Sequence, residues 1–392
     1  MTFGLTKSER PHISFFGCIN SGKSSLVNAV TNQNLAVVSD IKGTTTDPVQ
    51  KSMEILPLGP VVIIDTAGID DSGLLGDLRI EKTRRVLDKT DFAVLVVDSA
   101  VGLQDYDKEL IKEFSERKIS YIIALNKSDL KILDIEQEYG EYVSVSAKTG
   151  AGINDLREKI GHTINDNKQE KYIIRDKLKP NDVVILVIPI DEAAPKGRII
   201  LPQQNVLREI LDAHALAICS QPEELNSILN KFKPKYVITD SQVFNKVKDI
   251  VPKEVMLTSF SILMANYKGS LEKLVSGAKE ISKLDNGDKV LISEGCTHHR
   301  QCNDIGTVKI PFWIKKFTEK DINFEFTQGG EFPSDLSGYR LIIHCGGCML
   351  NETEMKSRTS KAGEQKIPMV NYGMAIAYMN GILPRALEIF NK

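Results

Sequence analysis

Little in this 392-residue chain commits it to a membrane or to an oxidising compartment. The longest apolar runs, such as Phe92-Ala93-Val94-Leu95-Val96-Val97, are strand-sized and fall far short of a membrane span. Residues Met1 to Pro11 are polar and hold no apolar h-region, so no secretory signal is expected. Six cysteines are too few and too clustered for a disulfide framework. Their thiols are expected to stay reduced, which points to the cytoplasm. The chain also lacks an excess of either charge: 50 Lys and Arg stand against 52 Asp and Glu, for a net charge of −2. No global field draws it to nucleic acid or to an anionic membrane, and neither is expected as a partner. What it does have is length for two or three domains and 42% hydrophobic residues, enough for real cores.

The N-terminal part carries four motifs in a fixed order. His12-Ile13-Ser14-Phe15-Phe16 reads as a buried strand, and a helical stretch runs from Ser25 to Val30. Between them lies Gly17-Cys18-Ile19-Asn20-Ser21-Gly22-Lys23-Ser24, a G-x-x-x-x-G-K-S loop in the strand–helix context that a P-loop requires. Its backbone N–H groups, from Ser21, Gly22, Ser24 and Ser25 among others, would wrap phosphates at a helix N-terminus. Lys23 would reach the β- and γ-phosphates, and Ser24 would ligate magnesium. Strand Val61 to Ile64 ends in Asp65-Thr66-Ala67-Gly68, which sets an acid near magnesium and a glycine amide near the γ-phosphate. After strand Tyr121 to Leu125 comes Asn126-Lys127-Ser128-Asp129, where Asp129 can accept both N–H groups of a guanine edge. Ser146-Ala147-Lys148 would complete the base pocket. Each motif follows a strand, as expected for ligands at the carboxyl edge of an α/β sheet.

This half resembles the Ras-like GTPases of the translation-factor class, so GTP and magnesium are the expected ligands. Ile69 follows the D-x-x-G motif where many small GTPases place a water-orienting Gln, so intrinsic hydrolysis is expected to be slow. The segment Ser39-Asp40-Ile41-Lys42-Gly43-Thr44-Thr45-Thr46-Asp47 is similar to switch I of the potassium-activated, tRNA-modification-type GTPases. That resemblance implies that Asn20 helps to hold a potassium ion, with Ser39, Ile41 and Thr44 completing its shell. It also implies that Thr45 ligates magnesium. Residues 70–76 continue as switch II and pass into a helix near residues 78–87.

A polar stretch at Asn165 to Lys171 marks a boundary. Beyond it, strands and helices alternate from Val183 to Thr258, which implies a small parallel sheet. No glycine-rich loop, carboxylate pair or His/Cys cluster follows its strands. Cys219 lies in an apolar run and is expected in the core. Such chemical plainness points to packing or self-association, and an exposed sheet edge pairing with its copy predicts a homodimer.

Three cysteines and three histidines fall in two short segments of the last part, Cys296-Thr297-His298-His299 and His344-Cys345-Gly346-Gly347-Cys348. Each follows a predicted strand, Lys289 to Ser293 and Tyr339 to Ile343, so a doubly wound sheet would bring them together at one edge. The pattern C-x-H … H-C-x-x-C reads as a metal or iron–sulfur site. Zinc in a Cys3His shell, with His298 or His344 as fourth ligand, fits the spacing as well as iron–sulfur does. Cys302 is a further candidate ligand, and the C-x-x-x-C-x-x-C pattern of radical S-adenosylmethionine chemistry is absent.

Taken together, a tRNA-modification-like GTPase, a connector and this cysteine pattern resemble the maturation GTPases of FeFe-hydrogenases over essentially the full length. The fold class expected is α/β: a P-loop GTPase domain over residues 1–165 and two further small parallel-sheet domains. These are a dimerisation or connector domain over 166–262 and a cluster-binding domain over 263–392. The resemblance implies a 4Fe-4S cluster on Cys296, Cys345 and Cys348, with a labile fourth site. His298, His344, a carboxylate such as Asp304 or solvent would fill that site. It implies a scaffold that takes up a diiron precursor bearing CO, CN and a dithiolate, made with two radical-SAM maturases. The scaffold would pass that unit to apo-hydrogenase, with GTP turnover modulating partner association. An RNA- or ribosome-associated GTPase with a structural zinc site is the alternative.

Overall fold

The computed structural model describes residues 7–32, 49–55, 58–66, 82–135, 137–166, 170–190, 199–269, 271–295 and 304–391. Thr45, Gly68, Ser39, Ile41, Thr44, Cys296 and His298 lie outside these residues, as do Ile69, Cys302 and the 70–76 segment. The chain divides into two compact units, residues 1–169 with 351–354, and residues 170–350 with 355–392.

The first unit is built on six strands: β1 (His12–Phe16), β2 (Val49–Ile55), β3 (Gly59–Asp65), β4 (Phe92–Asp98), β5 (Ser120–Asn126) and β6 (Tyr142–Ser144). Their order is β2-β3-β1-β4-β5-β6, with β2 antiparallel to β3 and the other pairs parallel. Continuous apolar runs such as Phe92 to Val97 are buried along their whole length because helices cover both faces of the sheet. One of those helices, Lys23–Thr31, starts directly after the P-loop.

The second unit holds two four-stranded, all-parallel sheets. β7 (Val183–Val187), β8 (Leu216–Ser220), β9 (Tyr236–Thr239) and β10 (Met256–Ser259) form one, in the order β10-β9-β7-β8. β11 (Lys289–Glu294), β12 (Asn323–Gln328), β13 (Leu341–His344) and β14 (Met369–Asn371) form the other, in the order β12-β11-β13-β14. In each sheet the chain winds first to one side of its opening strand and then to the other. Each sheet therefore has a switch point beside that strand, where the connections diverge and leave a crevice. The two sheets share one apolar core, in which Ile185, Val237 and Leu257 join Val290, Ile292 and Ile342.

Cys219 departs from its expected place. It sits on β8, the outer edge strand, and is exposed, as is Leu216. An apolar run is buried only if both faces and both neighbours are covered, and among the described residues β8 pairs with β7 alone. The opposite edge differs: Thr258 of β10 is buried and its hydroxyl donates to the Ala386 carbonyl of the helix Leu383–Leu387.

Candidate functional site

Two sites emerge, one in each unit. In the first, the P-loop is shaped by positions where side chains do not fit. A Cβ on Gly17 would lie 2.2 Å from the Val96 carbonyl oxygen, and one on Gly22, at φ +87°, would lie 2.3 Å from Asn126 Nδ2. Lys23 is buried, and its ammonium donates to the carbonyls of Gly17 and Cys18 at 2.9 and 3.0 Å. Burial depresses its pKa from 10.5 to about 8, against the opposing pull of Asp65. Ser24 Oγ donates to Asp65 Oδ2 at 2.8 Å, which brings together the two residues expected at magnesium. Burial raises the Asp65 carboxyl, with Ser24 and Lys23 opposing it.

Two buried polar atoms here have no protein partner, Asp65 Oδ1 and Ser21 Oγ. Buried polar groups are normally satisfied, so orphans beside a P-loop fit an absent anion and its cation. An oxygen-rich pair of Ser24 and Asp65 suits a hard cation such as magnesium. The donor set therefore fits a magnesium-bound nucleoside triphosphate.

The base-recognition motifs converge on the same loop. Asn126 Nδ2 donates to the Ser21 carbonyl at 2.9 Å, while Asn126 Oδ1 accepts from the Ala147 amide at 3.1 Å. One side chain thus ties the P-loop to the Ser146-Ala147-Lys148 turn. Lys127, at φ +65°, donates to the Asn20 carbonyl and pairs with Asp98 at 2.6 Å. Asp98 was not among the residues singled out from the sequence; its position at the end of β4 is the signal that marks it. Ser146 Oγ donates to Asp129 Oδ1 at 2.6 Å, which orients an exposed carboxylate. Asn20 is exposed at φ +64°, and Ser25 and Lys148 lie on the helix and turn that flank the pocket.

The second site lies at the switch point of the last sheet. β11 and β13 are neighbours there, with Ser293 opposite His344, so Gly295 and Cys345 leave the sheet side by side. The Cys345 amide donates to the Ser293 carbonyl at 2.9 Å. Its sulfur accepts N–H groups from Gly295 at 3.1 Å and Gly347 at 3.4 Å. Burial pushes the Cys345 thiol up, and those two amides oppose the shift. Gly347 has φ +59°, and a Cβ there would stand 2.5 Å from Met355 Sδ. The loop is therefore closely folded around its two half-buried cysteines, Cys345 and Cys348. Among the described residues no group of three His, Cys, Asp or Glu side chains gathers at ligand spacing. A half-buried thiol that receives two amides, on a glycine loop at a sheet crevice, fits a thiolate-held metal or cluster.

His344 departs from the expectation that it could complete the shell. It is wholly buried; Nε2 lies 2.9 Å from Arg358 Nη1 and Nδ1 lies 2.7 Å from the Cys345 carbonyl oxygen. Arginine only donates, so Nε2 accepts, and Nδ1 must carry the proton given to Cys345. Neither nitrogen then offers a lone pair to a metal. Burial, with Arg358 alongside, lowers the pKa of His344 to about 3, so it stays neutral. Arg358, on the helix Glu352–Glu364, also donates to the Gly329 carbonyl and lies over the Phe332 ring. A buried carboxylate flanks the same crevice: Glu294 Oε1 accepts from Tyr372 OH at 3.2 Å.

Comparison with known proteins follows the same partition. Residues 173–269 match the profile described as hydrogen maturase F dimerization domain, and residues 272–389 that described as hydrogen maturase F tetramerization domain. Residues 12–127 match the profile described as 50S ribosome-binding GTPase. Among curated relatives, GTPase Der of Wolinella succinogenes is 34% identical over 163 residues, covering 38% of this chain and 34% of that protein. The tRNA modification GTPase MnmE of Pediococcus pentosaceus is 34% identical over 154 residues, covering 38% of this chain and 32% of that protein. The chain thus spans about a third of the length of these relatives. Era of Aquifex aeolicus, solved with GDP and aluminium fluoride, is 19% identical with a TM-score of 0.36, covering 53% of this chain and 91% of that one. No helix among the described residues is long and apolar enough to cross a membrane.

Proposed function

The chain belongs to the hydrogen maturase F family, and on that premise we propose that it is a GTPase and metallocluster scaffold in the maturation of FeFe-hydrogenase. The observation that carries this reading is the pairing of β11 with β13, which sets the loop bearing Cys345 and Cys348 beside the segment that leads to Cys296. Cys296, Cys345 and Cys348 would hold a 4Fe-4S cluster. With His344 committed to Arg358, the fourth position falls to His298, a carboxylate or solvent. Bound there, the cluster supplies an exchangeable iron site for the diiron cargo. Ligation by three thiolates suits delivery, because binding must also permit release. The partners would be apo-hydrogenase and the two radical-SAM maturases that make the cargo, in the cytoplasm. Iron, sulfide and zinc analysis of anaerobically purified protein tests the reading, together with activation of apo-hydrogenase. Zinc without iron would favour the alternative, a GTPase with a structural zinc site.

GTP hydrolysis would be stimulated by potassium. The support is the exposed Asn20 in the P-loop, together with the Gly43-Thr44-Thr45 sequence. Turnover is expected to be faster in potassium chloride than in sodium chloride at equal ionic strength, and equal rates would remove the potassium site.

Self-association would use the outer edge of β8, which has no partner strand among the described residues and lies within the segment that matches the dimerization profile. Leu216 donates its amide to Asp182 and Ser220 accepts from Ile188, so alternate residues of β8 face β7. Cys219 then directs its amide outward, where an added strand would pair with it. Cys219→Pro removes that donor and leaves the β7 pairing intact. The expected result is a monomer by sedimentation at micromolar concentration, with GTP hydrolysis retained. A dimer that survives the substitution would place the interface elsewhere.

A further inference from the structure

The amide, the carbonyl and the sulfur of Cys345 are all held by the protein itself. The amide donates to the Ser293 carbonyl of β11 at 2.9 Å, and the sulfur accepts the Gly295 and Gly347 amides. The carbonyl accepts from His344 Nδ1 at 2.7 Å. Of these partners only His344 acts through its side chain, so only this contact depends on a protonation choice. A neutral imidazole carries one proton, on either nitrogen. With the proton on Nε2, Nδ1 would meet the Cys345 carbonyl lone pair to lone pair. Arg358 decides between the two forms. Its Nη1 donates to Nε2 at 2.9 Å, both side chains are buried, and a guanidinium cannot accept. The proton is therefore kept on Nδ1, where it serves the cysteine loop.

Arg358 is itself placed from several directions. It belongs to the helix Glu352–Glu364, its Nη2 donates to the Gly329 carbonyl just past β12 at 2.7 Å, and its guanidinium lies 5.3 Å from the centre of the Phe332 ring. A side chain fixed on a helix, a loop carbonyl and an aromatic face has little freedom to leave the imidazole. The same loop is held at a second point, where the Lys268 ammonium donates to the Gly347 and Leu350 carbonyls. Groups outside a ligand shell that orient its members are worth roughly 10–100-fold in metal affinity. Ligands already ordered by the fold also lose less freedom on binding.

We propose that Arg358 is a positioning residue for the cysteine ligands: acting through His344, it holds Cys345 in its ligating geometry by protein contacts alone. The proposal deepens the reading of that loop as a metal-holding loop and rests on it for its function. Arg358→Leu removes the donor to His344, Arg358→Lys keeps one, and His344→Leu removes the relay.

Metal-free full-length proteins are pulse-alkylated with iodoacetamide, and Cys345 is quantified by mass spectrometry against the exposed Cys219 of the same chain. Alkylation of Cys345 is expected to be about tenfold faster in Arg358→Leu, the scale of one lost buried hydrogen bond. His344→Leu should show the same increase, the double variant no further one, and Arg358→Lys a rate near that of the unsubstituted protein. After anaerobic reconstitution, iron should be lost to a chelator at a roughly 10–100-fold lower chelator concentration in the two leucine variants. Unchanged alkylation in Arg358→Leu overturns the proposal. So does a double variant in which the two effects multiply, since Arg358 would then act by another route. Should Arg358→Leu not fold, His344→Leu carries the test, and an unchanged Cys345 rate there overturns the relay. If alkylation follows the expected cycle but the unsubstituted protein takes up no iron, the positioning role stands and the iron–sulfur reading falls.

Discussion

Cys345→Ala is expected to strip the protein of iron and to abolish activation of apo-hydrogenase while leaving GTP hydrolysis within about twofold of the unsubstituted rate. The argument starts from ligand number. A site held by three thiolates cannot lose one and retain a cluster, because two ligands leave a second iron open to solvent. Even partners outside the ligand shell are worth roughly 10–100-fold in metal affinity, so a direct thiolate should cost more. The fold has a smaller stake in this residue. Cys345 sulfur receives the Gly295 and Gly347 amides, and alanine would leave both without their acceptor. An unsatisfied buried amide costs about 1–3 kcal/mol, enough to loosen the loop. Cys345→Ser separates the effects, since its hydroxyl can accept those amides yet ligates iron poorly. Both variants should therefore lose iron, and the serine variant should melt closer to the unsubstituted protein. The GTPase rate should not move, since the nucleotide residues Lys23, Ser24, Asp65 and Asn126 all belong to the other compact unit. Iron retained in either variant would sink the assignment of Cys345.

Much of this arrangement is legible in the sequence, and the remainder is hidden for identifiable reasons. The nucleotide motifs are local: each is a short run after a strand, and Ser24 meets Asp65 because parallel neighbours end at the same edge. The cysteine segments are legible as chemistry. Strand order within a sheet is not, so the adjacency of β11 and β13 emerges only from the fold. His344 looks like a ligand because it adjoins Cys345. What removes it is Arg358, a residue on the following helix that no ligand-spacing rule connects to the motif. Lys268 is further removed: it precedes the last sheet, yet its ammonium donates to the Gly347 and Leu350 carbonyls of the cysteine loop. Cys219 is exposed against expectation because an apolar run has the same composition on an edge strand as in a core. Its neighbours tell the difference, since Leu216 and Cys219 are both exposed on a strand that, among the described residues, pairs on one side only.

Lys23→Met should reduce GTP turnover by about 100–1000-fold, the scale for removing one preorganised donor from a transition-state oxygen. It should leave the iron content unchanged. The same lysine carries a pH dependence whose sign can be worked out. Unfolded, its ammonium titrates near 10.5; folded and without nucleotide, burial brings it to about 8. Between those values the unfolded chain binds the extra proton, so raising the pH favours the fold. Below about pH 8 the folded protein carries the net cost of the buried charge, roughly 3 kcal/mol with the pull of Asp65 already included. The carbonyls of Gly17 and Cys18 offset part of that cost, and methionine forfeits their hydrogen bonds. The difference in stability between Lys23→Met and the unsubstituted protein should therefore move against the variant as pH rises from 8 to 10.5, as measured by denaturant unfolding without nucleotide. Nucleotide reverses the requirement. Phosphates need the protonated lysine, so GTP affinity should fall about tenfold per pH unit above pH 8, and the slope at that pH should vanish in the variant. A stability difference that is flat across this range would mean that the ammonium is not desolvated in the ligand-free loop. An affinity that holds steady to pH 10 would mean that Lys23 does not carry the phosphate contact on which turnover depends.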